Sequence, residues 1–180
     1  GLGYHVITDG EFRRSTWHLD FMWGFEGVEH KKTVDGNQTF DGEAAMIDDT
    51  YMTGKISVKN HPFVEHFKYV KALEDENTVA KYTIPAPAQM FQQMIVPANF
   101  ENTRKYYATN EELIRDIGKA YQEVIKQFYE AGCPVYWPAL DVTGQTFLFT
   151  EQAGEQETMW MLQGDRRYAL NFSGRENYGA

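Results

Sequence analysis

Segments typical of strands and of helices alternate along the first 140 residues, and this alternation restricts the fold more than any other feature. The β-branched and aromatic run Tyr4–Thr8 is closed by Asp9–Gly10, which predicts a buried strand that ends in a turn. Val79–Ile84 and the run that begins with Pro134–Trp137 are further strand candidates. Strands separated by helices are the pattern of an α/β protein with parallel strands.

Two helices are predicted between these strands. The first follows Asn60, a candidate N-cap, and its apolar residues recur at helical spacing. These residues are Phe63, Val64, Phe67, Val70 and Leu73. The second helix is predicted over Tyr106–Ala131, where Thr109 and Glu112 have the spacing of a capping box and Gly132 ends the apolar stripe.

Two stretches depart from this alternation. Glycines interrupt short polar and apolar runs between residues 24 and 58, which predicts an inserted excursion with one or two β-hairpins. Thr143–Ala180 has no sustained period, and the pattern assigns no element there. The chain is therefore divided into a region 1–140 with the inserted excursion and a divergent C-terminal segment 141–180.

Composition excludes several classes of function. The chain has 17 basic and 26 acidic residues, a formal net charge of −9, which disfavours binding to nucleic acid or to anionic lipid. No apolar run approaches the ~20 residues that cross a bilayer, and the first residues lack the layout of a signal peptide. A hydrophobic fraction of 42% is enough for a core. We expect a cytoplasmic protein that contacts neither nucleic acid nor membrane.

The segment that follows the first strand carries the candidate chemistry. A carboxylate placed after the turn Asp9–Gly10 lies at the carboxyl end of a strand, the edge where α/β proteins bind ligands. Glu11 is suited to accept hydrogen bonds from a substrate ammonium, and Arg13 or Arg14 to hold a carboxylate or phosphate. The alternative is a solvated turn with local ion pairs.

Other candidates favour structural roles. His61 and His66 lie ~140° apart on a helix, so we expect a capping His61 and an exposed His66 rather than a metal site. Cys133, the one cysteine of the chain, is predicted to be a small buried side chain. An aromatic cluster is interpreted as core, with binding of a flat ring as the alternative. The cluster comprises Trp17, Phe21, Trp23 and Phe25.

Several stretches resemble one known family in the same order along the chain. They are Val6–Ser15, Trp17–Phe21, His61–Lys68, Ala80–Pro87 and Tyr121–Cys133. Together they resemble the cobalamin-independent methionine synthase family, in its short single-barrel branch, over about residues 2–133. Asp9–Ser15 is the most specific part of this resemblance.

The resemblance implies a (β/α)8 barrel that transfers a methyl group to the thiol of homocysteine. The donor is a methylated folate or another methyl carrier, and Glu11 falls where the family binds the amino acid part of homocysteine. Asp9, Arg13 and Arg14 are its candidate neighbours in substrate binding, and Asp141 stands in for a second amino-binding acid after a shift of register. The family also needs zinc, held by a His, two Cys and a Glu.

Departures from the family pattern lead us to expect only part of that barrel. The opening strand of the family is absent before Leu2, and neither His nor Cys follows Cys133, so zinc is not expected to bind this chain alone. We predict an α/β fold, a partial (β/α)8 TIM-type barrel of about three βα units over residues 1–140. Exposed edges of such an open sheet favour self-association.

Three functions remain open on this sequence. The first is a fragment or truncated member of a homocysteine methyltransferase. The second is a catalytically silent amino-acid-binding or assembly module of the same ancestry. The third is a zinc-free, decarboxylase-like barrel relative that uses its arginines to hold carboxylates.

Overall fold

The computed structural model describes residues 5–32, 38–40, 43–45, 48–133, 137–140, 146–152, 156–163 and 166–171. In chain order the elements are β1 (Val6–Ile7), α1 (Leu19–Met22), β2 (Glu26–Lys31), β3 (Gln38–Phe40), β4 (Glu43–Ala45), β5 (Asp49–Ser57), α2 (Pro62–Lys71), β6 (Val79–Ala80), α3 (Pro87–Ile95), α4 (Pro97–Arg104), α5 (Asn110–Glu130), β7 (Trp137–Leu140), β8 (Thr146–Gln152), β9 (Gln156–Gln163) and β10 (Arg166–Asn171). None of the described helices has both the length and the apolar character needed to pass through a bilayer.

Strands β1 and β6 form a parallel pair joined by a connection that contains α2. Val6 lies opposite Val79 and Ile7 opposite Ala80, and the Lys81 amide donates to the Ile7 carbonyl at 2.8 Å. The prediction of a strand, a helix and a parallel strand is met here, although both strands are shorter than the pattern indicated.

Only one face of this pair is covered, which corrects the prediction of a buried first strand. Ala80 is 1% exposed, whereas Val6 is 51% and Val79 is 47% exposed. Successive side chains of a strand point to opposite faces of a sheet. The helices cover the face of Ala80, and the valines lie on the other.

The excursion contains the predicted hairpins. β2 pairs antiparallel with β5, and β3 pairs antiparallel with β4 in the segment between them. The register of the first pair shifts between Glu26 and Val28, where Gly27 has a φ of +81°. A Cβ at Gly27 would lie 2.4 Å from the Lys55 carbonyl oxygen, so this irregularity depends on glycine.

Helix α2 begins at Pro62, and the prediction of a capping His61 is confirmed, whereas the candidate cap Asn60 is wrong. The side chain of His61 is the N-cap, because its Nδ1 accepts a hydrogen bond from the Phe63 amide at 3.3 Å. The apolar residues predicted for this helix are buried, apart from Leu73, which lies beyond its end and is 59% exposed.

Helix α5 has the predicted apolar stripe and begins later than predicted, at Asn110. Thr109 caps it by accepting from the Glu112 amide at 3.3 Å, and the Glu112 carboxylate accepts from the Ala108 amide. Gly132, with a φ of +84°, follows the helix end as expected for a left-handed residue.

Helices α3 and α4 were absent from the prediction. Pro87 follows the strand candidate Val79–Ile84 and so fits the end of a strand, yet each helix starts on a proline, at Pro87 and Pro97. Proline stops a strand and also favours the first turn of a helix, so the residue itself does not distinguish the two. The buried Asp49 of β5 holds these helices by accepting from Gln93 and Asn99.

The C-terminal region corrects two expectations. Strands β7 to β10 form an antiparallel sheet in the order β10-β9-β8-β7, and β8 to β10 lie in Thr143–Ala180, where the sequence pattern assigns no element. β7, expected to continue the parallel sheet, pairs antiparallel with β8, and residues 134–136 lie outside the described residues. Among the described strands, parallel pairing is confined to β1 and β6.

A single aromatic-rich core joins α1, β5, α2 and α5. Its largest fully buried side chains include Phe21, Met52, Phe67, Tyr107 and Tyr121. His61, 1% exposed, lies among them with its ring centroid 4.3 Å from that of Phe21. Gly24 lies directly against this imidazole.

Gly24→Ala is expected to lower the free energy of unfolding by about 1–3 kcal/mol, the usual cost of overpacking a core. A Cβ at Gly24 would lie 2.4 Å from His61 Nε2, and two hydrogen bonds hold that ring in place. Gly54→Ala is the matched control, because the nearest atom to its added Cβ lies 3.6 Å away. Urea unfolding followed by circular dichroism measures both variants, and equal losses would contradict the close contact.

Candidate functional site

The loops that follow β1 and β6 meet at the carboxyl ends of these two parallel strands. Asp9 and Glu11 come from the first loop, and Tyr82 and Thr83 from the second. We call the polar group at this edge the β1/β6 cluster. It consists of Asp9, Glu11, Arg13, Arg14, His66, Tyr82 and Thr83.

The turn after β1 places Glu11 in an unusual backbone conformation. Gly10 has a φ of +62° and Glu11 a φ of +59°, the only positive value for a non-glycine residue in the described chain. The Glu11 amide donates to Asp9 Oδ1 at 3.0 Å and so stabilises the turn. Glutamate rarely adopts the left-handed region, and such residues are concentrated at functional sites.

The Glu11 carboxylate is bonded through one oxygen. Oε1 accepts hydrogen bonds from Arg14 Nη1 at 3.0 Å and from Thr83 Oγ1 at 2.6 Å. Among residues 5–32 and 48–133, no group donates a hydrogen bond to Oε2, and the side chain is 39% exposed. One carboxylate oxygen is therefore held by the protein while the side chain still reaches solvent.

Arg14 is held inside the protein. Its side chain is 2% exposed, and Nη2 donates to the Thr83 carbonyl at 2.6 Å. Nη1 also donates to the Trp17 carbonyl at 3.3 Å, and the guanidinium lies over the rings of Phe63 and Tyr82. The terminal nitrogens of Arg14 therefore bond to Glu11, to the Trp17 carbonyl and to the loop that follows β6.

Four buried polar atoms of the cluster have no partner in good hydrogen-bonding geometry among the described residues, although the Tyr82 hydroxyl lies beside the Asp9 carboxylate and the Arg14 guanidinium. They are Asp9 Oδ2, Arg14 Nε, His66 Nδ1 and the Tyr82 hydroxyl. Burial, and next the Asp9 carboxylate, raise the pKa of Tyr82 well above its ordinary value. Buried polar atoms are nearly always paired, so the hydrogen-bonding capacity of this edge is incompletely used, as it is at five more buried polar atoms elsewhere in the described residues.

The formal charges of the cluster balance. Burial lowers the pKa of His66, as do Arg13 and Arg14, while Asp9 opposes them, so the imidazole is neutral at pH 7. Two carboxylates then face two guanidiniums. His66, predicted to be exposed, is half-buried because the loop of Arg13 lies beside it.

The structure brings the predicted residues Asp9, Glu11 and Arg14 together, while Arg13 extends outward over the Tyr69 ring at 4.7 Å. Asp141 lies outside the described residues. Tyr82 and Thr83 also belong to the site, although they are not among the predicted site residues. Their signal was their position just after the second strand, at the same sheet edge as Glu11.

The remaining candidates have structural roles. His61 Nε2 is bonded to the Phe21 carbonyl and Nδ1 to the Phe63 amide, so neither nitrogen is available to a metal. No three His, Cys, Asp or Glu side chains of the described residues are grouped to hold a metal ion. Burial raises the pKa of the half-buried Cys133 to about 11, which leaves little thiolate at neutral pH.

The aromatic cluster is divided between core and surface. Phe21 and Phe25 are buried, as the core interpretation predicted. Trp17 is 45% exposed, and Trp23 is half-buried with its ring 4.0 Å from that of His30.

Two curated proteins of Bacillus subtilis (strain 168) are similar to the chain. The uncharacterized protein YxjH is 33% identical over 164 residues, which cover 91% of this chain and 40% of YxjH. The uncharacterized protein YxjG is 30% identical over 155 residues, 86% of this chain and 38% of YxjG. The chain thus spans about 40% of the length of these relatives. No protein-family model matches the chain, and no solved structure matches it significantly.

The length of these alignments bears on the C-terminal region. An alignment of 164 residues in a chain of 180 extends beyond Leu140 wherever it begins. Similarity to YxjH therefore includes residues after the segment that resembles the methionine synthase family.

Proposed function

We propose that this chain carries the homocysteine-binding part of a cobalamin-independent methionine synthase-like methyltransferase, on part of a (β/α)8 barrel. The observation that carries the proposal is the Glu11 carboxylate. It follows a parallel strand, is anchored through Oε1, and is partly open to solvent. A carboxylate held in this way is suited to accept a hydrogen bond from the ammonium group of an amino acid.

The charge balance of the β1/β6 cluster also supports an amino acid ligand. Asp9 and Glu11 offset Arg13 and Arg14, so a zwitterion enters without a net electrostatic penalty. Arg13 is exposed, and its guanidinium lies over the Tyr69 ring, so it would have to leave that ring to bind the carboxylate of the ligand.

Zinc supplies the thiolate chemistry in the family that the sequence resembles, but the described residues do not fit it. They contain no group of three suitable ligands, and Cys133 is the single cysteine of the chain. Ligands for zinc would have to come from elsewhere. We assign to this chain the binding and orientation of the amino acid, with a methylated folate or another methyl carrier as the donor, in the cytoplasm.

A catalytically silent amino-acid-binding or assembly module is the second candidate, favoured by the same absence of a ligand group among the described residues. The decarboxylase-like alternative is less well supported, because the terminal nitrogens of Arg14 already bond to Glu11, Thr83 and Trp17. Exposed Val6 and Val79 are consistent with self-association of the open sheet.

Glu11→Gln is expected to weaken binding of L-methionine and L-homocysteine by about 10- to 100-fold, because a hydrogen bond to a charged group is worth ~1.5–3 kcal/mol. Isothermal titration calorimetry measures the affinity. Glu130→Gln is the matched control, since this exposed acid at the end of α5 loses the same charge far along the chain. Equal affinity of wild type and Glu11→Gln would refute the assignment.

The ligand can be varied in the same experiment. N-acetyl-L-methionine lacks the cationic ammonium and is expected to bind wild type as weakly as L-methionine binds Glu11→Gln. Methyl transfer to homocysteine, assayed with zinc and a methylated folate, is expected to be absent with this chain alone, because the described residues hold no group of zinc ligands. Turnover would contradict the assignment of the zinc ligands to another part of the enzyme and would exclude the silent module.

A further inference from the structure

Glu11 Oε1 is bonded by two residues of this edge, Arg14 and Thr83. We propose that Arg14 and Thr83 are positioning residues, which bind Glu11 Oε1 so that Oε2 is presented to the ligand. The inference rests on the proposed function for the identity of the ligand. The geometry of the clamp, defined as Glu11, Arg14 and Thr83, can be tested without any ligand.

The Thr83 hydroxyl is the donor in its hydrogen bond with the Glu11 carboxylate. Its Oγ1 lies 2.6 Å from Glu11 Oε1 and 3.4 Å from Arg14 Nη2. A guanidinium only donates hydrogen bonds, so the Thr83 hydroxyl accepts one from Arg14. Its own O–H group donates a hydrogen bond to Glu11. The carboxylate therefore receives two donors on one oxygen, and its remaining acceptor capacity lies mainly on Oε2.

Arg14 is fixed independently of Glu11. The Thr83 and Trp17 carbonyls accept from its terminal nitrogens, and its guanidinium carbon lies 4.8 Å from the centre of the Phe63 ring. A guanidinium that is held by hydrogen bonds and by aromatic faces loses little further freedom on binding a carboxylate. The fixed guanidinium of Arg14 therefore determines the position of the Glu11 carboxylate.

The clamp also explains how Glu11 keeps its left-handed backbone. A φ of +59° is unfavourable for a residue with a Cβ, which approaches the following carbonyl oxygen in this conformation. The Asp9 carboxylate holds the backbone side of the turn, and Thr83, 72 residues away, holds the side chain. Removal of Thr83 leaves only the local contacts to oppose the strain.

Thr83→Val is expected to weaken binding of L-methionine about tenfold, as for the loss of one hydrogen bond that positions a charged group. Thr83→Ser retains the hydroxyl and is expected to stay within about twofold of wild type. In a Glu11→Ala background Thr83→Val is expected to change the affinity less than about twofold. A merely structural role would weaken binding equally in both backgrounds and would overturn the proposal.

A second double-mutant cycle of Thr83→Val and Glu11→Ala measures the unfolding of the protein by urea in the absence of ligand. Thr83→Val is expected to lower the folding equilibrium constant about fivefold, and less than about twofold when Glu11→Ala is already present. Thr53→Val, at an exposed position of β5, controls for the substitution itself. Equal losses in the two backgrounds would overturn the clamp. If wild type fails to bind L-methionine, the proposed function fails, and this cycle still decides the inference.

Discussion

Phe21→Ala is expected to lower the free energy of unfolding by about 4 kcal/mol, within the ~3–5 kcal/mol typical of a buried phenylalanine. The side chain is fully buried in α1, at the centre of the core. Its ring lies within 5.4 Å, between centroids, of the rings of Phe25, His61, Phe63 and Tyr121. Alanine would leave a cavity that faces α2 and α5 at once.

Urea unfolding measures this loss, with Phe12→Ala as the matched control. Phe12 is 95% exposed, so the same substitution there is expected to change stability by less than about 0.5 kcal/mol. The loss at Phe21 is a large part of the ~5–15 kcal/mol that stabilises a typical domain. Phe21→Leu, with an expected loss of about 1–2 kcal/mol, provides a folded variant if the alanine protein does not fold. Equal effects at positions 12 and 21 would contradict the core as described.

Acidification is expected to destabilise the protein through His61 by about 3 kcal/mol once the pH has fallen to the folded-state pKa. Burial lowers the pKa of this imidazole from 6.5 to about 4, a shift that the Phe21 carbonyl opposes and His66 increases. Protonation would also place a proton on Nδ1, which now accepts from the Phe63 amide. The hydrogen bond by which His61 caps α2 would then be lost.

The direction of this pH dependence of stability follows from the number of protons that the folded and unfolded chains bind. Between pH 4 and 6.5 the unfolded chain binds a proton at His61 and the folded chain does not. Stability from this residue is therefore complete above pH 6.5 and declines as the pH falls toward 4. The lowered pKa values of His18 and His66 add to the decline in the same direction.

His61→Asn isolates the contribution, because asparagine is a good N-cap but does not titrate in this range. The difference in unfolding free energy between wild type and the variant, measured by urea titration at each pH, is expected to shrink on acidification. Val124→Ala, which removes a fully buried side chain from α5, is expected to lower stability by the same amount at every pH. A constant difference for His61→Asn would show that this histidine is not the titrating group.

The elements that could be predicted from the sequence are those with local signals. The period of the apolar residues and the capping residues indicated α2 and α5, and the glycines of residues 24–58 indicated the hairpins. α3 and α4 begin on prolines in a segment where proline also ends a strand. The partners of β7 depend on tertiary pairing with β8, which no residue of Trp137–Leu140 encodes by itself.

The candidate site was predictable only in its first half. Asp9–Arg14 carries a turn, two carboxylates and two arginines within six residues, so its chemistry is visible in the sequence. That Arg14 is buried and Arg13 exposed is decided by Phe63, Tyr82 and Thr83, which approach only when β1 and β6 pair. Which of the two arginines is buried beside Glu11 therefore depends on contacts that are distant in sequence.

The position of His61 also has a consequence for the order in which the chain assembles. Its imidazole bonds to the carbonyl of Phe21, 40 residues earlier, and its amide to Gln127, 66 residues later. Both long loops must close before the ring is shielded from water, and loop closure carries an entropic cost. We therefore expect the two hydrogen bonds of His61 to form late in folding, after α2 and α5 have formed their own turns.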